Sequence, residues 1–197
     1  MLAAAAEVIA ERGVAGTRLA DVAERIGVSP PAVLYWFDSR EQLLAEALVA
    51  DEDRFYDALG GRLELLAGAR ERLSLLIAAA ASSADGFALW LELWTWSLRD
   101  PMLAEARESL DDRWRGEIER IVRDGQGEGE FGGGDPAEAA LAIASLLDGL
   151  TVQVRLDESF PPERMVEVAT AVAERLLECS LPPQPPLDVE VRAEVGA

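Results

Sequence analysis

The stretch of residues 17–40, TRLADVAERIGVSPPAVLYWFDSR, constrains the fold of this chain more than any other. Apolar residues recur at helical spacing behind Thr17, a residue type that favours the N-cap of a helix. Gly27 stands where this helix must stop, because glycine accepts the left-handed conformation in which many helices end. Ser29 then precedes two prolines, which suit the first turn of a second helix. The pattern predicts a helix-turn-helix motif, with Val33, Leu34 and Phe37 continuing the second helix at core spacing.

A longer signature surrounds this motif in residues 2–48. It consists of Ala10-Glu11-Arg12-Gly13, Thr17, Val22-Ala23-Glu24, Gly27-Val28-Ser29, Leu34-Tyr35-Trp36-Phe37 and Ser39-Arg40-Glu41-Gln42-Leu43-Leu44. The signature resembles the N-terminal DNA-binding domain of the tetracycline-repressor (TetR) family. Beyond about residue 50 only the layout and length of the helices match. The resemblance implies an all-α fold of about nine helices, with a three-helix DNA-binding domain before a helical ligand-binding and dimerisation domain.

Composition argues against most enzyme classes. The chain has no histidine, no lysine and one cysteine, Cys179, so the commonest general base and metal ligand are missing and no internal disulfide is possible. The glycine-rich stretch at residues 125–134 lacks the GK[ST] of a phosphate-binding loop, and we expect it to be a flexible connection. We predict a non-enzymatic protein without metal or cofactor. With no signal peptide and no membrane span expected, it would be cytoplasmic.

The net charge of −19 argues against nonspecific DNA binding. Residues 1–48 carry four arginines and seven acidic residues, for a net charge of −3. DNA affinity would therefore come from helix N-termini aimed at phosphates and from a few arginines, and would be sensitive to salt.

The resemblance also implies which residues meet DNA. The bases would be met by Pro30, Pro31, Ala32 and Trp36, and the phosphates by Thr17, Tyr35 and Arg40; for Tyr35 and Trp36 the alternative is plain core packing. Apolar side chains can touch thymine methyl groups but make no bidentate hydrogen bonds to guanine, so part of the specificity would come from DNA shape or from neighbours such as Arg18. The predicted DNA-binding residues are Thr17, Arg18, Ser29, Pro30, Pro31, Ala32, Tyr35, Trp36 and Arg40.

Past the motif, Ser39 and Gln42 form a capping box for a fourth helix that runs to about Leu59, where two glycines weaken it. Residues 87–98, FALWLELWTWSL, then form a helix that is apolar on nearly every side. Its aromatic residues, with one carboxylate among them, suit a pocket for a flat or cationic organic molecule. The alternative is ordinary core, with Glu92 paired or facing solvent. The predicted ligand-binding residues are Phe87, Trp90, Glu92, Trp94 and Trp114.

The last two predicted helices open at Asp135-Pro136-Ala137-Glu138 and at Pro161-Pro162-Glu163, and they carry more apolar surface than one packing face uses. The resemblance implies that this pair forms a four-helix bundle with its copy in a homodimer. The predicted dimerisation residues are Leu147, Leu150, Val154, Val166, Ala169, Val172 and Leu176. The predicted domains are residues 1–48 for DNA binding, 49–180 for ligand binding and dimerisation, and 181–197 as a disordered tail.

The sequence thus predicts a ligand-responsive transcriptional regulator, a repressor released from palindromic operator DNA by a small organic effector. The alternative is a helical small-molecule-binding dimer that has lost specific DNA binding.

Overall fold

The computed structural model describes residues 1–82 and 87–183, and these residues form nine α-helices. The all-α fold predicted from the sequence is confirmed. The helices are α1 (Leu2–Gly16), α2 (Leu19–Arg25), α3 (Pro30–Leu34), α4 (Arg40–Leu63), α5 (Ala69–Ser82), α6 (Phe87–Ser97), α7 (Pro101–Gly127), α8 (Pro136–Leu156) and α9 (Pro162–Leu176).

The chain divides into two compact units, each with its own core. Unit 1 consists of Met1–Arg54 and Ala88–Asp111, and unit 2 of Phe55–Phe87 and Asp112–Ala197. The division falls inside α4 and α7, whereas the sequence places a domain boundary between residues 48 and 49. Most of α6 and the first part of α7 therefore fold with the N-terminal helices. From residue 184 the proposed disordered tail lies outside the described residues.

Unit 1 has its core among α1, α2, α3 and α4, completed by three leucines of α6 and α7, Leu93, Leu103 and Leu110. The predicted end of the first helix at Gly13 appears as a break, since Gly13 leaves the helical conformation (φ 71°, ψ 165°) before a short last turn to Gly16.

The turn between α2 and α3 confirms the role predicted for Gly27. Gly27 has a φ of 71°. Its N–H donates to the carbonyl of Glu24 at 3.2 Å, and the N–H of Val28 donates to the carbonyl of Ala23 at 2.9 Å. This pair of bonds is the Schellman arrangement, which satisfies the last carbonyls of α2 and turns the chain toward α3.

The start of α2 corrects the sequence prediction by one residue. Arg18, not Thr17, is the N-cap, with extended backbone (φ −113°, ψ 151°), and its N–H donates to the Asp21 carboxylate at 3.0 Å. Thr17 is buried, 2% exposed, and its hydroxyl donates to the Gly13 carbonyl at 2.8 Å. The Thr17 side chain is therefore directed toward α1 rather than toward the first turn of α2.

Helix α3 is shorter than predicted. It ends at Leu34, and the N–H groups of Trp36 and Phe37 both donate to the Val33 carbonyl, which closes the last turn. Val33 and Phe37 are buried as predicted, but Leu34 is 51% exposed, so its assignment to the core is wrong.

Helix α4 begins as predicted and ends later. The Ser39 hydroxyl accepts from the N–H of Gln42 at 3.0 Å, and the Gln42 side chain accepts from the N–H of Asp38 at 2.7 Å. The helix continues through the glycine pair to Leu63, because Leu59 and Leu63 pack against α5 in a small core cluster of unit 2. Tertiary burial outweighs the low helix propensity of the two glycines.

The glycine-rich stretch is a packed turn, and the prediction of a flexible connection is wrong. Helix α7 continues to Gly127, and Phe131 is buried in the core of unit 2. A Cβ atom on Gly125 would lie 2.3 Å from Cδ2 of Phe131, so a side chain at this position would force the ring to move. The N–H of Glu130 donates to the Gly125 carbonyl at 2.8 Å, which fixes the turn.

Helices α8 and α9 begin as the sequence predicts, at Pro136 and Pro162. Asp135 caps α8 by accepting from the N–H of Ala137 at 2.8 Å. By length and composition alone, α8 is also the one helix in the described part of the chain that could cross a membrane. The core helix of a soluble protein passes the same test, and α8 packs into the core of unit 2.

Candidate DNA-binding and effector sites

The outer surface of the helix-turn-helix motif is largely apolar. Ser29, Pro30 and Pro31 are exposed, and Ala32 is half-buried. Tyr35 is 81% exposed and Trp36 69% exposed, so core packing does not account for either ring. The two rings stand edge to face, with centroids 5.4 Å apart and an interplanar angle of 88°. The surface can touch methyl groups and sugars in a DNA groove, and it offers few hydrogen-bond donors to bases.

Most of the positive charge of this region is held by internal partners. Arg12 pairs with Asp21 at 2.7 Å, and Arg25 pairs with Glu7 and Glu11 at 2.8 and 2.6 Å. Within the described residues, the Arg18 guanidinium is exposed and has no ion-pair partner. Arg18 is therefore the arginine of this region best placed to meet a phosphate.

Thr17 and Arg40 face the interior. The Arg40 Nε donates to the Thr17 carbonyl at 2.7 Å, its guanidinium also donates to the Val14 carbonyl, and it pairs with Glu41 at 3.2 Å. The Arg40 side chain keeps 25% exposure. Because the Thr17 side chain is buried and its hydroxyl is already bonded, the structure does not support it as a phosphate contact. The hydrogen bonds of Arg40 also connect α4 to the backbone just before α2.

The predicted aromatic pocket is divided between the two units. Trp90 and Trp96 are partly buried against the core of unit 1, while Trp114 packs against the core of unit 2. The Trp114 indole nitrogen is buried and has no hydrogen-bond partner among the described residues. The side chain of Phe87 lies outside the described residues.

Glu92 has an internal partner that sequence reasoning did not find. Its Oε2 accepts from the N–H of Val14 at 2.9 Å, across 78 residues of sequence. One oxygen of the Glu92 carboxylate therefore bonds the end of α1, and a ligand contact of Glu92 stays a prediction. No local pattern signals a partner so distant in the chain.

Trp94 lines an open cleft of about 490 Å³ in unit 1. The cleft lies between α6 and α7. Its one arginine, Arg107, pairs with both of its carboxylates, those of Glu108 and Asp111, which leaves one negative charge in excess. Its lining residues are Trp94, Ser97, Leu98, Ala104, Arg107, Glu108 and Asp111. An aromatic face beside excess negative charge is suited to a small organic cation.

A second cavity, of about 470 Å³, lies in unit 2 and was missed at the level of sequence. The Arg113 guanidinium lies over the Tyr56 ring, 4.0 Å from its centroid, so an internal cation already covers this aromatic face. Arg72 and Arg120 also line the cavity and pair with Asp124. In the sequence, these arginines have the spacing of ordinary surface charges on α5 and α7, so it does not predict the cavity.

The predicted dimerisation residues differ in exposure. Leu147 and Ala169 are 1% and 2% exposed and belong to the core of unit 2, so their assignment to a subunit interface is corrected. Leu150, Val154 and Val166 are partly buried against the same core. Val172 and Leu176 are each 37% exposed. These last two residues of α9 are therefore accessible to a partner.

Cys179 is half-buried against the core of unit 2. Burial raises the pKa of its thiol above the ordinary value, so little thiolate forms near neutral pH. Within the described residues, no group of three or more cysteine or acidic side chains is arranged to hold a metal ion.

Two protein families match different parts of the chain. Residues 1–47 match the bacterial regulatory proteins of the TetR family. Residues 64–178 match the C-terminal domain of BetI-type transcriptional repressors.

Individual relatives agree with these matches. The HTH-type transcriptional regulator BetI of Burkholderia lata is 30% identical over 152 residues, which cover 72% of this chain and 73% of the relative. The regulator of the same name from Escherichia coli K12 is 25% identical over 162 residues, covering 79% and 80%.

Solved structures match over a longer span. A transcriptional regulator from Saccharomonospora viridis in complex with choline has a TM-score of 0.81 at 30% identity, covering 89% of this chain and 94% of its own. A TetR-family regulator from Rhodococcus sp. has a TM-score of 0.79 at 26% identity, covering 89% and 95%.

Proposed function

This chain belongs to the TetR family of transcriptional regulators, with a BetI-type repressor C-terminal domain, and on that premise we propose how it binds DNA and what releases it. It is a transcriptional repressor and not an enzyme, and it binds DNA through its helix-turn-helix motif. The proposal is that a homodimer in the cytoplasm holds a palindromic operator and leaves it when a small organic cation binds. The operator, the dimer and the effector are each tested by a separate experiment.

The operator proposal is supported mainly by the exposed side chains of α3 and of its C-cap residue, Tyr35. Tyr35 and Trp36 are too exposed to serve the core, and Arg18 stands at the start of α2 with its guanidinium unpaired within the described residues. Ser29, Pro30, Pro31 and Ala32 supply the apolar reading surface. Such a surface favours sites rich in thymine methyl groups and sites selected by DNA shape.

The dimer proposal is supported by apolar surface on α8 and α9. Of the 18 consecutive residues that form the most apolar part of α8, 33% are buried within the chain. Leu141 and Leu156 of α8 are 46% and 73% exposed, and Val172 and Leu176 of α9 are each 37% exposed. Apolar surface of this extent is typical of an interface between subunits. A two-fold dimer would place its recognition helices about one DNA turn apart, roughly 34–36 Å or somewhat more.

The effector proposal is supported by the regulator from Saccharomonospora viridis, which was solved in complex with choline. In the present chain the Trp94 cleft combines an indole with the carboxylates of Glu108 and Asp111, which both pair with Arg107 and together exceed its charge by one. A quaternary ammonium bound over an indole gains cation–π attraction, and neighbouring carboxylates add to it.

A second candidate is a ligand-binding dimer that no longer recognises specific DNA. The internal ion pairs of Arg12 and Arg25, together with the inward-facing Arg40, favour it because they leave little positive charge for phosphates.

Selection from a pool of random duplexes, followed by affinity measurements across a salt series, separates the two candidates. We expect a palindromic sequence that the wild-type dimer binds and that Tyr35→Glu no longer binds. Tyr35 is 81% exposed, so this substitution changes the surface and leaves the core intact. A folded dimer that enriches no sequence even at low salt would establish the second candidate instead.

A further inference from the structure

We propose that Glu92 and Trp96 are positioning residues that couple α6 to the DNA-reading helices through residues 13–17, which we term the α1–α2 junction. The inference rests on the proposed function and deepens it, because it names the path by which a molecule bound against α6 changes DNA affinity.

Glu92 holds the junction from the side of α6. Its Oε2 accepts from the N–H of Val14 at 2.9 Å. Gly13, immediately before, has a φ of 71°, and a Cβ atom at this position would lie 3.2 Å from Oε1 of Glu92. A side chain at position 13 would therefore be disfavoured by the positive φ and would crowd the Glu92 carboxylate.

Arg40 holds the same junction from the side of α4. Its guanidinium donates to the carbonyls of Val14 and Thr17, with the Nε bond to Thr17 at 2.7 Å. Both backbone polar groups of Val14 thus bind side chains from outside α1. The Arg40 Cζ also lies 6.0 Å from the centroid of the Trp96 ring, so α6 supports the arginine as well.

The junction leads directly into the DNA-reading surface. Thr17, whose carbonyl receives Arg40, precedes Arg18, the N-cap of α2. At the other end of the path, Trp94 lines the cleft of unit 1 and lies two residues from Glu92 on the eleven-residue α6. A displacement of α6 by an occupant of the cleft would pull on the N–H of Val14.

Thermodynamic linkage makes this path testable without an effector. If α6 and the recognition helices are coupled, a ligand on α6 changes the free energy of operator binding. Operator binding must then change the conformational free energy of α6 by the same amount. We therefore compare wild type with Glu92→Met, which removes the acceptor, and with Glu92→Gln, whose amide oxygen can still accept from Val14.

The first measurement is amide hydrogen exchange at the α1–α2 junction without DNA. We expect exchange at Val14 to be about tenfold faster in Glu92→Met and close to wild type in Glu92→Gln, because a lost hydrogen bond to a charged group has an effect of this order. Unchanged exchange in Glu92→Met would overturn the inference. If Glu92→Met does not fold, Glu92→Asp, whose shorter side chain withdraws the acceptor from Val14, takes its place with the same expected acceleration. Trp96→Leu leaves this hydrogen bond in place and tests the Arg40 side of the path. We expect it to weaken the response of α6 to operator in the measurement below, and an unchanged response would remove Trp96 from the path.

The second measurement repeats the exchange with saturating operator duplex. We expect operator to slow exchange in α6 of wild type and of Glu92→Gln, and to leave α6 of Glu92→Met unchanged. A wild-type protein that binds operator without any change in α6 would overturn the coupling. A wild-type protein that binds no duplex would overturn the proposed operator function, and exchange at Val14 without DNA would then decide the hydrogen bond separately.

Discussion

The electrostatics of the DNA-binding surface depend on where individual arginines point. Residues 1–48 carry a net charge of −3, and Arg12 and Arg25 are neutralised by acids of α1 and α2. These pairs are exposed to solvent, so each contributes little to stability. Their larger effect is to remove positive charge from the surface that faces DNA.

We expect Arg18→Gln to weaken operator binding and to reduce the slope of log affinity against log salt by about 1, since one phosphate contact releases about one counterion. Arg12→Gln is the matched control, because it removes the same charge from an internal ion pair with Asp21. A filter-binding or fluorescence-anisotropy salt series measures both slopes. If both variants changed the slope equally, the net charge of the protein would account for the effect, and Arg18 would make no phosphate contact of its own.

Trp94 allows the effector proposal to be tested at a single side chain. We expect Trp94→Ala to weaken choline binding by about fivefold to thirtyfold, corresponding to the ~1–2 kcal/mol of a partly desolvated cation–π contact. Trp94→Phe should lose less affinity, because a phenyl ring still attracts a cation, although less strongly than indole does. Isothermal titration calorimetry measures the affinities, with the uncharged carbon isostere of choline as the chemical control. Identical affinities for choline and the isostere would contradict a cation site.

At the scale of elements, the C-terminal end of α7 shows how packing decides what a glycine does. Gly125 is buried against Phe131 and Ala69, while Gly116 of the same helix has open space around its Cβ position. The first glycine makes room for the core of unit 2, and the second only lowers helix propensity.

We expect Gly125→Ala to destabilise the protein by about 1–3 kcal/mol, because the new methyl group would overlap the Phe131 ring. Gly116→Ala, the control in the same helix, should stabilise it by up to about 1 kcal/mol. Urea unfolding at one fixed protein concentration measures both, since a dimer's stability depends on concentration. If Gly125→Ala were as stable as Gly116→Ala, the turn at residues 125–134 would not be packed as described.

At the scale of the whole molecule, the exposed apolar side chains of α8 and α9 are the basis of the proposed homodimer. We expect the double substitution of Val172 and Leu176 by glutamate to dissociate the dimer, because burying like charges across a two-fold axis is costly. Leu65→Glu is the control: Leu65 also belongs to unit 2 and is 85% exposed.

Sedimentation velocity separates the two species. A double variant that remains dimeric while keeping wild-type helix content would place the interface elsewhere on the chain. A monomeric double variant should also lose operator binding, since one recognition helix makes half of the contacts of a palindromic site.

The sequence by itself determined the family, the all-α fold and most helix starts. Asp135 before α8 and Ser39 before α4 act on N–H groups two or three residues away, so their effect is readable in the local sequence. The same holds for Gly27, whose positive φ follows from its position after a helical run.

Only the tertiary structure decided which partners the long polar side chains find. Glu92 reaches Val14 across 78 residues and Arg40 reaches Val14 across 26, and neither separation leaves a periodic signal. The same reason explains why Leu147 and Ala169 lie in the core of unit 2 rather than at a subunit surface. Helical periodicity shows that a face is apolar, but the packing of other helices determines whether that face meets its own chain or another.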